Sequence, residues 1–329
     1  MTKPIVSVII PCYNGSSVID RSIESVYIQD YPNIELIVVD DGSTDNSGEM
    51  ILSWEFRFAE KGFILKYVYQ QNRGLGGAID TGLKHVTGEY LTLLDADDYY
   101  LAGSVSKKAK YLDEHPECVG VRSNGWMVRG AEKKLFITSD EEKNITDMFE
   151  GLLFGRTNNW AGSYMIRTDV LFECYPDRTI YPSRFGQNMQ MLLPVAYKQR
   201  FGYIDEPLMA YVLHEDSHSQ ASSPEEQYRK DEANQQGYRD IYLHMLNMIL
   251  KDPAEHQKYC NIFDASYYRC AMFRAEKYHK QLQLEESYNA LAATGYATLN
   301  DKICYYGSIH SPYVFVLKIL RKLKSFAGR

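Results

Sequence analysis

Three apolar runs, each closed by a polar loop, constrain the fold of this chain more than any other feature. "VSVIIPCYNG" ends at Gly15, "ELIVVDDGS" at Ser43 and "YLTLLDADD" at Asp98. Uninterrupted apolar runs rich in β-branched residues read as strands buried on both faces. They predict strands over Ile5–Ile10, Glu35–Val39 and Tyr90–Leu94, with a further strand over Ile64–Tyr69. The intervening stretches have helical spacing. Val18, Ile19, Ile23, Val26 and Tyr27 mark a helix within Ser17–Gln29, Ser47–Ala59 follows a loop rich in N-cap residues, and Gly77–His85 is a third. Strand-helix alternation of this kind predicts an α/β fold with a mostly parallel sheet and helices on both faces. Ligands of such sheets sit at the carboxyl ends of the strands. Pro11–Gly15, Asp40–Ser47 and Asp95–Asp98 are therefore expected to line one crevice.

Beyond Asp98 the pattern predicts a helix over Ser104–Leu112 and short strands over Val119–Arg122, Gly125–Arg129 and Lys133–Ile137. Asn158–Leu171 reads as a strand entering a short helix, and Gly186–Arg200 as a helix interrupted at Pro194. After "ASSPEEQ" the strand signals stop and long helical patterns run over Glu225–Leu250 and Asp264–Leu291. The expected division is a domain over residues 1–222 and a helical region over 223–329.

The 329 residues carry a formal net charge of −7, which argues against a general nucleic-acid binder. The six cysteines show no C-x-x-C spacing and read as free thiols of a reducing compartment. "IVSVII" is too short for a signal peptide and breaks at Pro11, and no apolar run is long enough to span a membrane. The expected location is cytoplasmic, with peripheral attachment at the inner face of the membrane. The 27 tyrosines offer flat faces with polar tips, suited to stacking on sugars or bases and equally to half-buried packing.

The loops carry the chemistry. Asp95, Asp97 and Asp98 crowd negative charge at a strand tip. Such a cluster is either a solvated capping turn or one side of a divalent cation site completed by phosphates and water. Tyr13 offers a stacking face and Asn14 a polar turn residue. Asp40 and Asp41 can accept from a base N–H or a ribose hydroxyl, or can serve the turn alone. Arg73 precedes Gly74, Gly76 and Gly77, and that run at a helix start lets backbone approach a phosphate that the guanidinium pairs.

Together "VSVIIPCYNGSSVIDRSIESVYIQDYPNIELIVVDDGSTDNS", "NRGLGGAIDTG" and "GEYLTLLDADD" resemble the family 2 glycosyltransferases in order and spacing. The match covers roughly the first 110 residues strongly and continues more weakly to about residue 222. The resemblance implies a GT-A nucleotide-sugar-binding fold and an inverting, metal-dependent transfer. It implies that Pro11, Tyr13 and Asp41 hold the base, with Asn14 and Asp40 beside them. Arg73, Gly74 and Ala78 would lie along the nucleotide and sugar, and Asp95 and Ala96 would border the donor. Asp95 and Asp97 would be the D-x-D pair, with Asp97 the direct ligand of Mn2+ or Mg2+. His214 would be a further metal or diphosphate contact, with His218, Ser217 and Ser219 in the same loop. Trp160, Met165 and Arg167 would fall at the acceptor-facing wall, where Trp160 reads equally as a face for a sugar ring and as a core tryptophan under a loop.

The chain departs from that family at the base. Relatives carry Glu-Asp after a glycine near a helix start, and the aspartate takes the acceptor proton. Here Gln187 and Asn188 follow Gly186, and neither amide accepts a proton at neutral pH. Three readings stay open: another carboxylate serves (Asp177, Glu215 or Asp216), Asn188 only orients an acceptor activated otherwise, or the chain is a weak or silent transferase. The expected function is transfer of a hexose or N-acetylhexosamine from a UDP-sugar to a saccharide, lipid-linked or free, in polysaccharide or cell-surface glycan synthesis. The alternative is a silent nucleotide-sugar-binding subunit. A nucleotidyltransferase is disfavoured because no glycine-rich G-x-G-x-x-(R)-K start stands near the N-terminus. The tail "PYVFVLKILRKLKSFAGR" has five basic residues and no acidic one, with Val316, Leu317, Leu320 and Leu323 at helical spacing. It reads as an amphipathic helix for an anionic membrane surface, or one that docks on the protein. The helical region offers a surface for a homo-oligomer.

Overall fold

The apolar runs pair as parallel neighbours. In a computed structural model, which describes residues 3–309 other than 159, 182, 184 and 214–222, β1 (Val6–Cys12) lies between β2 (Ile34–Asp40) and β4 (Tyr90–Leu93), with β3 (Ile64–Tyr69) outside β2. Every residue of β1, β2 and β4 is buried, as expected of strands covered on both faces. Alternate side chains divide the labour. Val6, Val8, Ile10, Leu36 and Val38 pack in one core with Ile19, Ile23, Phe58 and Leu112. Each such side chain contributes about 1.5–3 kcal/mol on burial.

The sheet continues with β5 (Tyr99–Tyr100), β6 (Cys118–Arg129), β7 (Glu132–Leu135), β8 (Tyr164–Arg167) and β9 (Arg200–Val212). Among the described residues nine strands form one sheet, in the order β3-β2-β1-β4-β8-β6-β9-β5, with β7 against β6. β8 runs antiparallel to both β4 and β6, so the sheet is parallel in its first half and mixed beyond it. That reversal decides where several side chains end up.

Helices α1 (Ile19–Tyr27), α2 (Ser47–Leu52), α3 (Glu55–Glu60), α4 (Gly74–Lys84) and α5 (Ser104–Glu114) connect the strands up to β6. The stretch read as one helix over Ser47–Ala59 breaks into α2 and α3 because Trp54 turns into the core, its indole N–H donating to Asp20 Oδ1 at 2.8 Å. Short helices α6 (Asp140–Lys143), α7 (Met148–Leu153) and α8 (Thr168–Cys174) follow, then α9 (Gln187–Ala196). Pro194 does not interrupt α9, because it stands in the last turn. The segments Val119–Arg122 and Gly125–Arg129 are one strand, β6, not two.

The chain divides into two compact units, residues 1–217 and 218–329. The described part of the second unit holds α10 (Pro224–Ile249), α11 (Pro253–Lys277), α12 (Gln281–Ala293) and α13 (Leu299–Ile309). Ser223 and Asp252 cap α10 and α11 by accepting from Glu226 N and Glu255 N. Its core gathers Ala265, Met272, Leu284 and Leu291, with the Tyr288 and Tyr305 rings stacked at 3.9 Å. Among the described residues no helix is long and apolar enough to cross a membrane. The six cysteines are unpaired.

Candidate active site

The loops after β1 and β2 are stitched together by short polar side chains. Asn14 N donates to Ser43 Oγ at 2.9 Å, and Thr44 N donates to Asn14 Oδ1 at 2.8 Å. Ser16 N donates to Asp45 Oδ2 at 3.0 Å, and Gly15 N to Ser47 Oγ at 2.9 Å. Burial opposes ionisation of Asp45, but the hydrogen bonds from Ser47 and Ser16 prevail and hold its carboxyl at about 2. Asn14 takes the left-handed conformation, φ 49°, which asparagine tolerates.

The two neighbouring aspartates separate in function. Asp40 accepts from Ser43 N and from the Tyr67 hydroxyl, each at 2.8 Å, and is buried. One oxygen thus serves the turn and the other the Tyr67 hydroxyl on β3. Asp41 instead lines a cavity of about 590 Å³ with Pro11, Tyr13, Asn72, Gly74 and Ala78. Gln70 Nε2 and Arg73 N donate to Asp41 Oδ1 at 2.6 and 2.8 Å, which orients the carboxylate. Tyr13 is 54% exposed, so its ring has an open face at this cavity. Cys12 and Leu75 complete the lining, and burial pushes the Cys12 thiol up to about 11, leaving it a poor nucleophile. Asn72, Leu75 and Gln70 went unread in the sequence. Asn72 was findable, because its Oδ1 accepts from Gly74 N two residues on, an Asx turn at 3.2 Å before a glycine with φ 75°.

Arg73 sits at the start of α4. Its guanidinium lies 3.4 Å from Thr81 Oγ1 and 3.5 Å from Asp80 Oδ2, and is half exposed. It keeps the room and the charge to meet an anion.

The acidic tip forms a tight turn, with Asp98 N donating to Asp95 O at 3.1 Å. Arg21 donates to the Asp97 carbonyl, and its guanidinium covers the Tyr99 ring at 5.1 Å. Ala96 packs against the core. Asp98 is fully buried. Its Oδ1 accepts from Val212 N at 2.9 Å, and its Oδ2 has no partner among the described residues. Burial, then the charge of Asp95, pushes the Asp98 carboxyl up to about 9. The Asp95 carboxyl also moves up, by burial and then by Asp97. Among the described residues no group of three or more His, Cys, Asp or Glu is arranged to hold a metal unaided. Three carboxylates within four residues, two of them raised by burial and by neighbouring charge, nonetheless fit a divalent cation shared with a ligand's own oxygens.

The start of α9 is held by β8. The Tyr164 hydroxyl donates to Asn188 Oδ1 at 2.8 Å, and the side-chain oxygen of Gln187 is buried without a partner among the described residues. Because β8 is antiparallel to β4, with Tyr90 opposite Arg167, Tyr164 lies toward the acidic tip and Arg167 at the far end. Arg167 donates to Cys118 O and Leu112 O at 2.9 and 2.7 Å, and Met165 is in the core. Trp160 is stacked on Tyr211 at 5.0 Å and touches Phe136 edge-on, so it is largely a packing residue. Asp177 stands beside Arg178, whose guanidinium donates to Val86 O, at the opposite end of β4 from Asp95. His214, Glu215, Asp216, Ser217, His218, Ser219 and the tail over 312–329 lie outside the described residues.

A model of the family described as Glycosyl transferase family 2 matches residues 7–172. The chain is 27% identical over 284 residues to an uncharacterized glycosyltransferase of Nostoc sp., covering 84% of each. It is 38% identical over 112 residues to an uncharacterized glycosyltransferase of Rickettsia typhi, 34% of this chain and 33% of that one. Its fold resembles that of S. aureus TarS 1-349 in complex with UDP-GlcNAc, with a TM-score of 0.61, 19% identity, and coverage of 92% of this chain and 91% of that one. It also resembles the mannosyltransferase PcManGT from Pyrobaculum calidifontis in complex with GDP-Man and Mn2+, with a TM-score of 0.54, 19% identity, and coverage of 99% and 87%.

Proposed function

The chain belongs to glycosyl transferase family 2, and from that premise we propose that it moves a hexose or N-acetylhexosamine from a UDP-sugar to a saccharide hydroxyl with inversion. The observation that carries this reading is the cavity in which the open Tyr13 ring, the oriented Asp41 and the start of α4 come together. Tyr13 stacks on the base and Asp41 accepts its N–H. Arg73 and the α4 N-terminus meet the diphosphate. Asp97, with Asp95 beside it, would hold Mn2+ or Mg2+. A divalent cation held there would supply positive charge to offset that building on the departing nucleotide diphosphate.

On the acceptor side the Asn188 oxygen is committed to Tyr164, so its amide N–H2 is left to donate. Asn188 therefore orients the acceptor rather than taking its proton. The same observation supports a second reading, a silent nucleotide-sugar-binding subunit. The acceptor is a saccharide, and the basic tail brings the enzyme to membranes where lipid-linked saccharides lie.

Titration of UDP with Mn2+ and with EDTA, on the wild type and Asp97→Asn, tests the donor site. Mn2+ is expected to tighten UDP by at least ~10-fold in the wild type alone, about 1.4 kcal/mol. Equal affinities under all four conditions would remove the metal assignment. Tight Mn2+-dependent UDP binding, with no transfer from any UDP-sugar to a panel of saccharide and lipid-linked acceptors, would favour the silent reading.

A further inference from the structure

The donor pocket and the helix carrying Gln187 and Asn188 share one buried carboxylate. Asp80, on α4, is 3% exposed. Its Oδ2 accepts from Lys84 Nζ at 2.9 Å and lies 3.5 Å from the Arg73 guanidinium. Its Oδ1 accepts from the backbone N–H of Ile180 at 3.1 Å. Ile180 precedes a residue clamped at both ends. Tyr181 N donates to Gln190 Oε1 at 2.8 Å, and Gln190 Nε2 donates to Tyr181 O at 3.0 Å. Gln190 is buried on α9, one turn beyond Gln187, and its own carbonyl accepts from the Tyr175 hydroxyl at 3.0 Å. The stretch between α8 and α9 is thus fastened to α4 through Asp80 and to α9 through Gln190.

A neutral amide could also accept from Ile180 N, more weakly than a carboxylate does. What a carboxylate adds here is a charge compensated by two cations, Lys84 and Arg73. One of them, Arg73, is the cation positioned for a diphosphate.

We propose that Asp80 is a positioning residue that couples donor binding at Arg73 to the placement of Gln187 and Asn188. The inference rests on the reading that Arg73 meets the donor and the start of α9 faces the acceptor. A diphosphate competes with Asp80 for the Arg73 guanidinium. When it does, one oxygen of Asp80 loses a cation while the other still holds Ile180. The change passes through the Tyr181–Gln190 clamp into α9. No large movement is required, since small shifts in a packed clamp suffice to order or loosen a helix start.

Hydrogen–deuterium exchange on the full chain, with and without UDP and Mn2+, tests this on the wild type, Asp80→Asn and Asp80→Ala. In the wild type, UDP is expected to slow exchange over residues 178–192 by ~5-fold or more, the low end of ordinary coupling. Asp80→Asn keeps an acceptor for Ile180, so protection in the absence of UDP should stay near wild type while the UDP-induced gain is lost. Asp80→Ala should raise exchange there in both states. A purely structural role would leave the UDP-induced gain intact in Asp80→Asn, and that result overturns the coupling. So does UDP binding to the wild type without any gain in protection. Failure of the wild type to bind UDP at all overturns the functional reading instead, and the coupling with it.

Discussion

Position 188 shows how one atom pair changes what a site can do. A carboxylate there would accept a proton, whereas the amide, with its oxygen held by Tyr164, can only offer N–H bonds. If Asn188 orients the acceptor hydroxyl, Asn188→Ala should lower turnover by at least ~10-fold with little change in the donor KM. Tyr164→Phe leaves the amide in place but unanchored, and should cost one hydrogen bond, about 1 kcal/mol, or roughly 5-fold in turnover. Steady-state kinetics with the donor selected from the UDP-sugar panel checks both. Wild-type turnover in Asn188→Ala would put the acceptor machinery elsewhere. At this scale the sequence was legible only in part. Asp40 and Asp41 are chemically identical neighbours, and what separates them is Tyr67, far along the chain, whose hydroxyl claims the first. Tyr164 was equally hidden, because its link to Asn188 exists only once β8 turns antiparallel beside β4.

At the scale of elements, β1 to β4 were readable because strands buried on both faces must be apolar throughout, and that pattern needs no partner to be recognised. β9 was missed because its burial is mixed and it carries Gly202 and Pro207, so neither a continuous run nor a clean alternation appears. The junction of α4 with the stretch before α9 was invisible too, although its marker, Gly76, stood in the sequence as part of a phosphate-loop reading. A Cβ at Gly76 would lie 2.1 Å from the carbonyl oxygen of Ser183. The glycine is therefore needed for close approach of two backbones. Gly76→Ala must push them apart, because the obstacle is backbone and cannot rotate away. The expected cost is about 1–3 kcal/mol in urea unfolding, the usual range for overpacking. At Gly77 the Cβ of an alanine would lie 2.4 Å from the Cβ of Arg73, an atom fixed to its own backbone. Gly77→Ala should therefore displace Arg73 at the start of α4, costing stability and weakening UDP binding together. Equal stability of Gly76→Ala and wild type would mean the two segments are not pressed together as described.

At the scale of the molecule, charge is unevenly spread along the chain. The total is −7, yet the last 18 residues, 312–329, carry five basic side chains and no acidic one. An acidic protein is repelled by an anionic bilayer unless a local basic segment outweighs that repulsion within a Debye length of about 8–10 Å. Near such a surface each basic residue contributes on the order of 1 kcal/mol, and interleaved leucines add burial in the interface. Removing residues 312–329 should therefore release the protein from vesicles containing phosphatidylglycerol, and raised salt should release the intact chain. Neutral phosphatidylcholine vesicles should hold it far less at any salt. Donor-site behaviour sets the control: Mn2+-dependent UDP affinity should be the same with and without the tail, because among the described residues the cavity over Tyr13 and Asp41 is lined by residues 11–78 and the acidic tip stands at 95–98. If truncation leaves vesicle sedimentation unchanged but lowers the unfolding temperature, the tail packs on the protein, and its leucines serve a core rather than a membrane.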